Sequence, residues 1–299
     1  MVLALMPMAR AEDLVIELAP GQTWRVAQTV TFSSSAKPVN ATKPAPGGMP
    51  TPIREPYTLV ESYVDECVPG KAAGSTELRR KFLSSRLSTR NGKGPAPTAL
   101  EGAVLLFTLG QGTCSAIAER GAPEPGSLAL LRRAPHIAEQ ALLPAGAVSV
   151  RDAWVPDPSS VAHDLGLALS YGVASALKPA RDDVAYVLYE LVTSPGEPSA
   201  TAGRCHVRAT LESVSKGVAT IRFDDAEFDT SGTLGKPPNA PDITSSVSGL
   251  LTLRIVDKRP LRFEWKVSAT VSFKKSGAQP GYGGNVEWTE QLSVVRTYK

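Results

Sequence analysis

The sequence predicts a mainly β fold of the β-rich α+β kind: long curved antiparallel sheet, a half-barrel among its possible forms, with one main helix near residues 159–177. Three observations carry this. From Leu261 to Lys274, apolar residues hold the odd positions through Phe273 and polar ones hold the even positions. A helix cannot place those odd positions on one side, so the segment is a strand with one wet face. The chain also carries 25 Pro and 25 Gly, which punctuate it into strands and loops. Finally, Ser159–Leu177 is the best helix candidate: Val161, Leu165, Leu167, Leu169, Val173 and Leu177 give approximate helical spacing after Asp157-Pro158-Ser159.

Taken in order, Met1–Ala11 has the look of a residual signal peptide. An apolar stretch leads to the small-x-small triplet Ala9-Arg10-Ala11, without a basic n-region. An ordinary apolar tail is the plain alternative. Residues 12–150 then form an N-terminal β-rich half, interrupted by a Pro-rich loop at 37–56 with Gly47-Gly48. Leu14–Leu18 is apolar, Gly21–Phe32 is rich in β-branched and aromatic residues, and Tyr57–Val68 resumes strand character. Leu78–Leu87 is charged and ambiguous. Ala103–Leu109 and Thr113–Glu119, on either side of Gly110-Gln111-Gly112, read as a hairpin. Residues 127–143 are Leu/Ala-rich and fit either a helix or an irregular crossing.

Residues 151–299 are expected to hold the helix and then an antiparallel meander, the two halves forming either separate domains or one. Cys205–Leu211 and Leu251–Ile255 alternate, and Ser213–Gly217 and Asp257–Pro260 supply turns. The apolar parity switches between Phe223 and Phe228 across an acidic run, which predicts a bulge or bend near Asp224.

Composition narrows the function classes. A net charge of +3 with dispersed basic residues lacks the broad basic face of a nucleic-acid binder. No segment approaches the ~18 apolar residues of a helical membrane span, so an integral membrane protein is not expected. Cys67, Cys114 and Cys205 match no zinc spacing and allow at most one disulfide. Cys67–Cys114 pairing and a buried thiol stand as equal alternatives.

Each candidate motif has a plainer explanation. Gly110-x-Gly112-x-x-Ser115 lacks the third glycine and the following helix of a dinucleotide site. Asp225, Glu227 and Asp229 begin like a calcium loop, but Thr230 and Lys236 fall where the turn glycine and the bidentate glutamate belong. His136, His163 and His206 form no ligand or catalytic spacing, and Ser159-Ser160 is better read as helix capping. Trp24, Trp154, Trp265 and Trp288 could line a sugar or lipid site, although Trp265 sits where a core residue belongs. No catalytic, cofactor-binding or metal-binding residue is assigned, and no cofactor is expected.

The stretches Leu142-Leu-Pro144…Val148-Ser-Val-Arg-Asp152-Ala-Trp154 and Ser248-Gly249-Leu-Leu-Thr-Leu…Arg262-Phe-Glu-Trp265 resemble a group of uncharacterised exported bacterial proteins. In those, a Gly-Asp-x-Trp element precedes a β-rich C-terminal half; Arg151 stands here in place of the glycine. The resemblance implies export and a β-rich fold, and it carries no catalytic residue. More loosely, long one-sided strands with a helix are similar to the periplasmic half-barrel carriers of lipoproteins and lipids.

The resulting expectation is a non-enzymatic envelope protein, periplasmic or secreted. Its partner would be a lipid, another apolar ligand or an envelope component. A hydrolase or carbohydrate-active module assembled from distant residues is the alternative. An outer-membrane barrel ranks last, because only one strand is so regular and aromatics are 6%.

Overall fold

A computed structural model describes residues 11–39, 56–71, 76–89, 94–109, 114–121, 138–156, 204–229, 242–273 and 285–299. Their strands are β1 (Thr23–Val39), β2 (Tyr57–Pro69), β3 (Thr76–Thr89), β4 (Ala96–Pro97), β5 (Val104–Leu109), β6 (Cys114–Arg120), β7 (Ala153–Trp154), β8 (Arg204–Ser215), β9 (Val218–Asp229), β10 (Asp242–Arg254), β11 (Arg259–Phe273) and β12 (Asn285–Tyr298). A short 3-10 helix spans Ala138–Leu142. The expected helix at 159–177 lies outside the described residues.

All twelve strands belong to one antiparallel, curved and unclosed sheet, ordered β6-β5-β3-β2-β1-β12-β11-β10-β9-β8-β7, with β4 beside β3. The order explains how the two halves of the sequence relate. The N-terminal half steps outward from β1 to β6, and the C-terminal half returns from the opposite edge at β7 to β12. The two wings meet where β1 pairs with β12, from Val26 opposite Tyr298 to Val39 opposite Asn285. One continuous sheet therefore contains both halves.

One face of this sheet is buried. Leu14, Ile16 and Leu18 lie against it as an extended strap before β1, alternating inward because extended backbone has a period of two. The strap is tied at both ends. Glu12 and Val148 exchange backbone hydrogen bonds at 2.8 and 2.9 Å, and the Glu17 amide donates to the Lys258 carbonyl at 3.0 Å. The segment 138–156, which carries the edge strand β7 near its end, places Leu142 in the same core.

Several sequence expectations take physical form here. The hairpin strands pair as β5 and β6, with Leu109 opposite Cys114. The bulge expected near Asp224 lies between the pairs Arg208–Asp224 and His206–Glu227, where β9 carries one extra residue. The ambiguous segment Leu78–Leu87 is strand β3. Its alternation breaks because the register shifts between Ser62 and Tyr63, so that Phe82 and Ser85 both turn inward while Leu83 is exposed.

Three boundaries move. The turn expected at Ser213–Gly217 narrows to Lys216-Gly217, since β8 runs through Ser215. The Pro-rich loop expected at 37–56 begins only after Val39, since β1 continues through Lys37-Pro38-Val39. Beyond Phe32, β1 pairs among the described residues with β12 alone, and a strand paired on one side tolerates the missing N–H of Pro38. The expected turn at Asp257–Pro260 falls one or two residues earlier. Arg259 and Pro260 already pair with Arg254 and Leu253, and a bulge at Leu261 restores Phe263 and Trp265 to the buried face.

Candidate functional site

The register places Ser85, Glu61, Gln28, Arg296, Phe263, Leu251, Ile221 and Leu211 side by side in successive strands from β3 to β8. Every one of them is buried. The first four are polar and the last four apolar, and the change falls just past the join of the wings.

In the polar part each group is met by a neighbour. Gln28 Nε2 donates to Glu61 Oε2 at 3.0 Å, and the Ser85 hydroxyl donates to Glu61 Oε1 at 2.8 Å. Ser85 also shares a 2.6 Å hydrogen bond with Thr98 from the segment after β4. Arg296 Nε donates to Gln28 Oε1, and its Nη1 donates to Glu139 Oε1 at 2.8 Å. Tyr298, one inward position along β12, donates its hydroxyl to the same Glu139 oxygen. Glu139 itself comes from the 3-10 helix, so the segment that leads into β7 is latched to the central strand of the sheet. Within hydrogen-bonding reach of a guanidinium, burial of a carboxylate is tolerable; alone it is not.

A second ion pair stands two positions along β2. Arg80 and Asp65 are directly opposite and make two hydrogen bonds of 2.7 and 2.8 Å. The Arg80 guanidinium lies 4.2 Å over the ring of Tyr63, between the two polar layers.

The electrostatics follow from these contacts. Burial pushes Glu61 above its ordinary value, against the pull of Ser85, Arg80, Arg296 and Gln28. Burial likewise raises Asp65, opposed chiefly by Arg80. Burial also works against the charge of Glu139, but Arg296 and Tyr298 outweigh it and hold that carboxyl below its ordinary value. Burial raises the Tyr63 and Tyr298 hydroxyls, and the Glu139 charge pushes Tyr298 further.

The apolar part is wider than one row. Directly beside it run Val294, Trp265, Gly249, Phe223 and Ala209, again opposite one another in register from β12 to β8. Trp265 packs between Phe223 and Phe263, with ring centroids 5.4 and 5.9 Å away. Gly249 makes room for it: a Cβ there would sit 2.7 Å from Trp265 Cε3 and 2.8 Å from the Glu264 carbonyl oxygen. Trp154, on β7, closes the row beyond Ala209, and its indole N–H donates to the Leu142 carbonyl at 3.0 Å.

Three of the tryptophans singled out in the sequence lie in or against this site. Trp265 lies within it and Trp154 at its rim, while Trp24 packs edge-on against Tyr298 at 6.2 Å. Cys67 is buried in the core. His136, His163 and Gly110–Gly112 fall outside the described residues, as do Thr230 and Lys236. Among the described residues, no group of three or more His, Cys, Asp or Glu could hold a metal. No helix among them is long and apolar enough to cross a membrane.

The polar cluster was missed by sequence reading, since its members are scattered from Gln28 to Tyr298. One local signal existed. Glu61, Asp65 and Arg296 interrupt otherwise apolar inward positions, and such an interruption marks a charge that needs a partner.

Fold and site together define an unclosed antiparallel β-sheet protein whose largely apolar buried face carries an ionic cluster beside the β1–β12 join. No family model matches the chain, and no curated protein matches it. Among solved structures, the chain is similar to one described as lipid–protein interactions in lipovitellin, with a TM-score of 0.43 and 9% identity over 95% of this chain. It spans about a quarter of that protein, 26% of its length. It is also similar to a structure from work on asymmetric conductivity of engineered proteins, with a TM-score of 0.21, 9% identity, and coverage of 93% of this chain and 100% of that one. A third is the outer membrane protein OprG from Pseudomonas aeruginosa, with a TM-score of 0.12, 7% identity, and coverage of 93% and 95%. At these scores the likenesses carry no argument about fold or function.

Proposed function

We propose that this chain is a non-enzymatic exported envelope protein that holds an apolar, lipid-like ligand against the C-terminal wing of its sheet. The observation that carries the reading is the pair of adjacent apolar rows, Phe263-Leu251-Ile221-Leu211 and Trp265-Gly249-Phe223-Ala209, on the buried side of an unclosed curved sheet. A sheet face of this breadth requires a second layer. Among the described residues, the elements packed against it are the extended strap and the segment that leads into β7. The small-x-small triplet at Ala9–Ala11 supports export.

The alternative of a hydrolase requires carboxylates open to a substrate. Glu61, Asp65 and Glu139 instead accept hydrogen bonds from Ser85, Gln28, Arg80, Arg296 and Tyr298. That supports a positioning role for them.

The test is native mass spectrometry of the protein after gentle purification, followed by exposure of the delipidated protein to phosphatidylcholine vesicles. Co-purifying acyl lipid, or stoichiometric uptake from the vesicles, is the expected result. A protein that carries no lipid and extracts none overturns the reading.

A further inference from the structure

We propose that the ligand on the C-terminal wing carries a neutral carbonyl, of the acyl-ester class, within its apolar body, and that the Trp265 indole N–H receives it. This rests on the reading of that wing as a lipid site. Trp265 is 2% exposed, and its Nε1 has no hydrogen-bond partner. Buried indole N–H groups ordinarily find an acceptor, as Trp154 does at the Leu142 carbonyl.

The packing shows why the sheet does not supply one. The Cε3 edge of the indole lies over Gly249. Nε1 is on the opposite edge of the indole from Cε3. The residues opposite Trp265 are Gly249 and Val294, and its ring neighbours are Phe223 and Phe263, none with a side-chain acceptor.

Chemistry then narrows the acceptor. An anionic group would have to shed its hydration beside aromatic and aliphatic residues. The Arg296 guanidinium, opposite Phe263, is already bonded to Glu139 and Gln28. A lone water would need further polar partners at the same point. A neutral carbonyl flanked by methylenes satisfies the donor and keeps the rest of the site apolar. An ester linkage at the head of an acyl chain has that form.

The test compares dioleoyl phosphatidylcholine with its dioleyl ether counterpart, which keeps the chains and headgroup but lacks the carbonyls. Both are supplied from vesicles to the wild-type protein and to Trp265→Phe. Wild type is expected to bind the ester lipid about five- to tenfold more tightly, the worth of one hydrogen bond. Trp265→Phe should bind the two alike, at the level of the ether. An ¹⁵N-labelled indole signal should shift downfield with the ester lipid and not with the ether, a readout needing no variant. Equal binding of both lipids by wild type overturns the carbonyl assignment and leaves the lipid reading intact. A preference that persists in Trp265→Phe also overturns it. Binding of neither lipid removes the lipid reading itself, and the carbonyl with it.

Discussion

Along the row from Ser85 to Leu211, the N-terminal wing buries a hydroxyl, a carboxylate and an amide and meets Arg296 at the join. The C-terminal wing fills the corresponding positions with phenylalanine, leucine and isoleucine. The backbone pairing is antiparallel throughout, so the difference lies in the side chains alone. Apolar burial is non-directional and is stabilising wherever area leaves water. A buried ionic row is only weakly stabilising, because desolvation offsets attraction, but it works in one register. Slipping β1 by one residue against β12 would break the Arg296–Gln28 hydrogen bond and put the two side chains on opposite faces of the sheet. The polar row therefore fixes alignment where the ends of the chain meet, which the non-directional apolar row does not do.

The largest effects come from removing one large member of either part. Phe263→Ala and Arg296→Met should each destabilise the protein by about 3–5 kcal/mol in urea unfolding. They differ in what rescues them. Adding Glu139→Leu to Arg296→Met removes the stranded charge and should restore most of the loss. No neighbouring apolar exchange should restore Phe263→Ala as fully, since the cavity is the cause. If the double variant is no more stable than Arg296→Met alone, the ionic latch is not what couples the segment 138–156 to the sheet.

Next comes Gly249, where backbone and indole meet. Gly249→Ala forces a Cβ to 2.7 Å from Trp265 and 2.8 Å from the Glu264 carbonyl oxygen. The expected loss is about 1–3 kcal/mol, as for other overpacked cores. Combining it with Trp265→Leu should recover the part due to the ring and leave the part due to the backbone. A Gly249→Ala protein as stable as wild type would show that the sheet can flex at this point.

How much of this was legible in the sequence depends on the wing. The apolar parity of Cys205–Leu211 and Leu261–Phe273 predicted strands β8 and β11, and the parity switch near Asp224 predicted a real bulge. Strand β12 was not individually recognised. Its inward positions read Leu292, Val294, Arg296, Tyr298, and a charge in the third place hides the alternation. Leu78–Leu87 was ambiguous for the same reason: Arg80 faces inward to Asp65 and a bulge shifts the parity after it. Charge satisfied across strands is invisible to a local pattern, because its partner lies far off in sequence. The ionic row was hidden by the pairing that makes it stable.

The two wings should also respond differently to pH. Glu61 and Asp65 have folded values raised above the ordinary 4.5 and 3.8. The unfolded chain releases those protons first as pH rises, so stability falls from the ordinary values up through the raised ones. Glu139 is held below 4.5. Its contribution is present above that value and is lost as pH falls through the lowered one. Stability measured against pH should therefore rise on acidification from neutral toward the ordinary carboxylate range, then drop. Glu61→Gln should flatten the first limb and leave the acid drop in place. A pH profile unchanged by Glu61→Gln would mean that this carboxyl titrates alike in both states.

The smallest effect is expected in the segment 138–156, which serves both wings. Arg151 adopts φ of 82°, a left-handed conformation that is unfavourable for a residue with a Cβ. It is held there because its N–H donates to the Leu211 carbonyl at 2.8 Å in the apolar wing, while the adjacent Asp152 carboxylate accepts from the Ser149 amide at 2.8 Å. Glycine removes the steric penalty but loses more backbone entropy on folding, so the two terms partly cancel. Arg151→Gly should raise stability by about 0.5–1 kcal/mol, and Arg151→Ala, which keeps the Cβ, should not. Equal stability of the two variants would place the Arg151 side chain, rather than its backbone, in control of this turn.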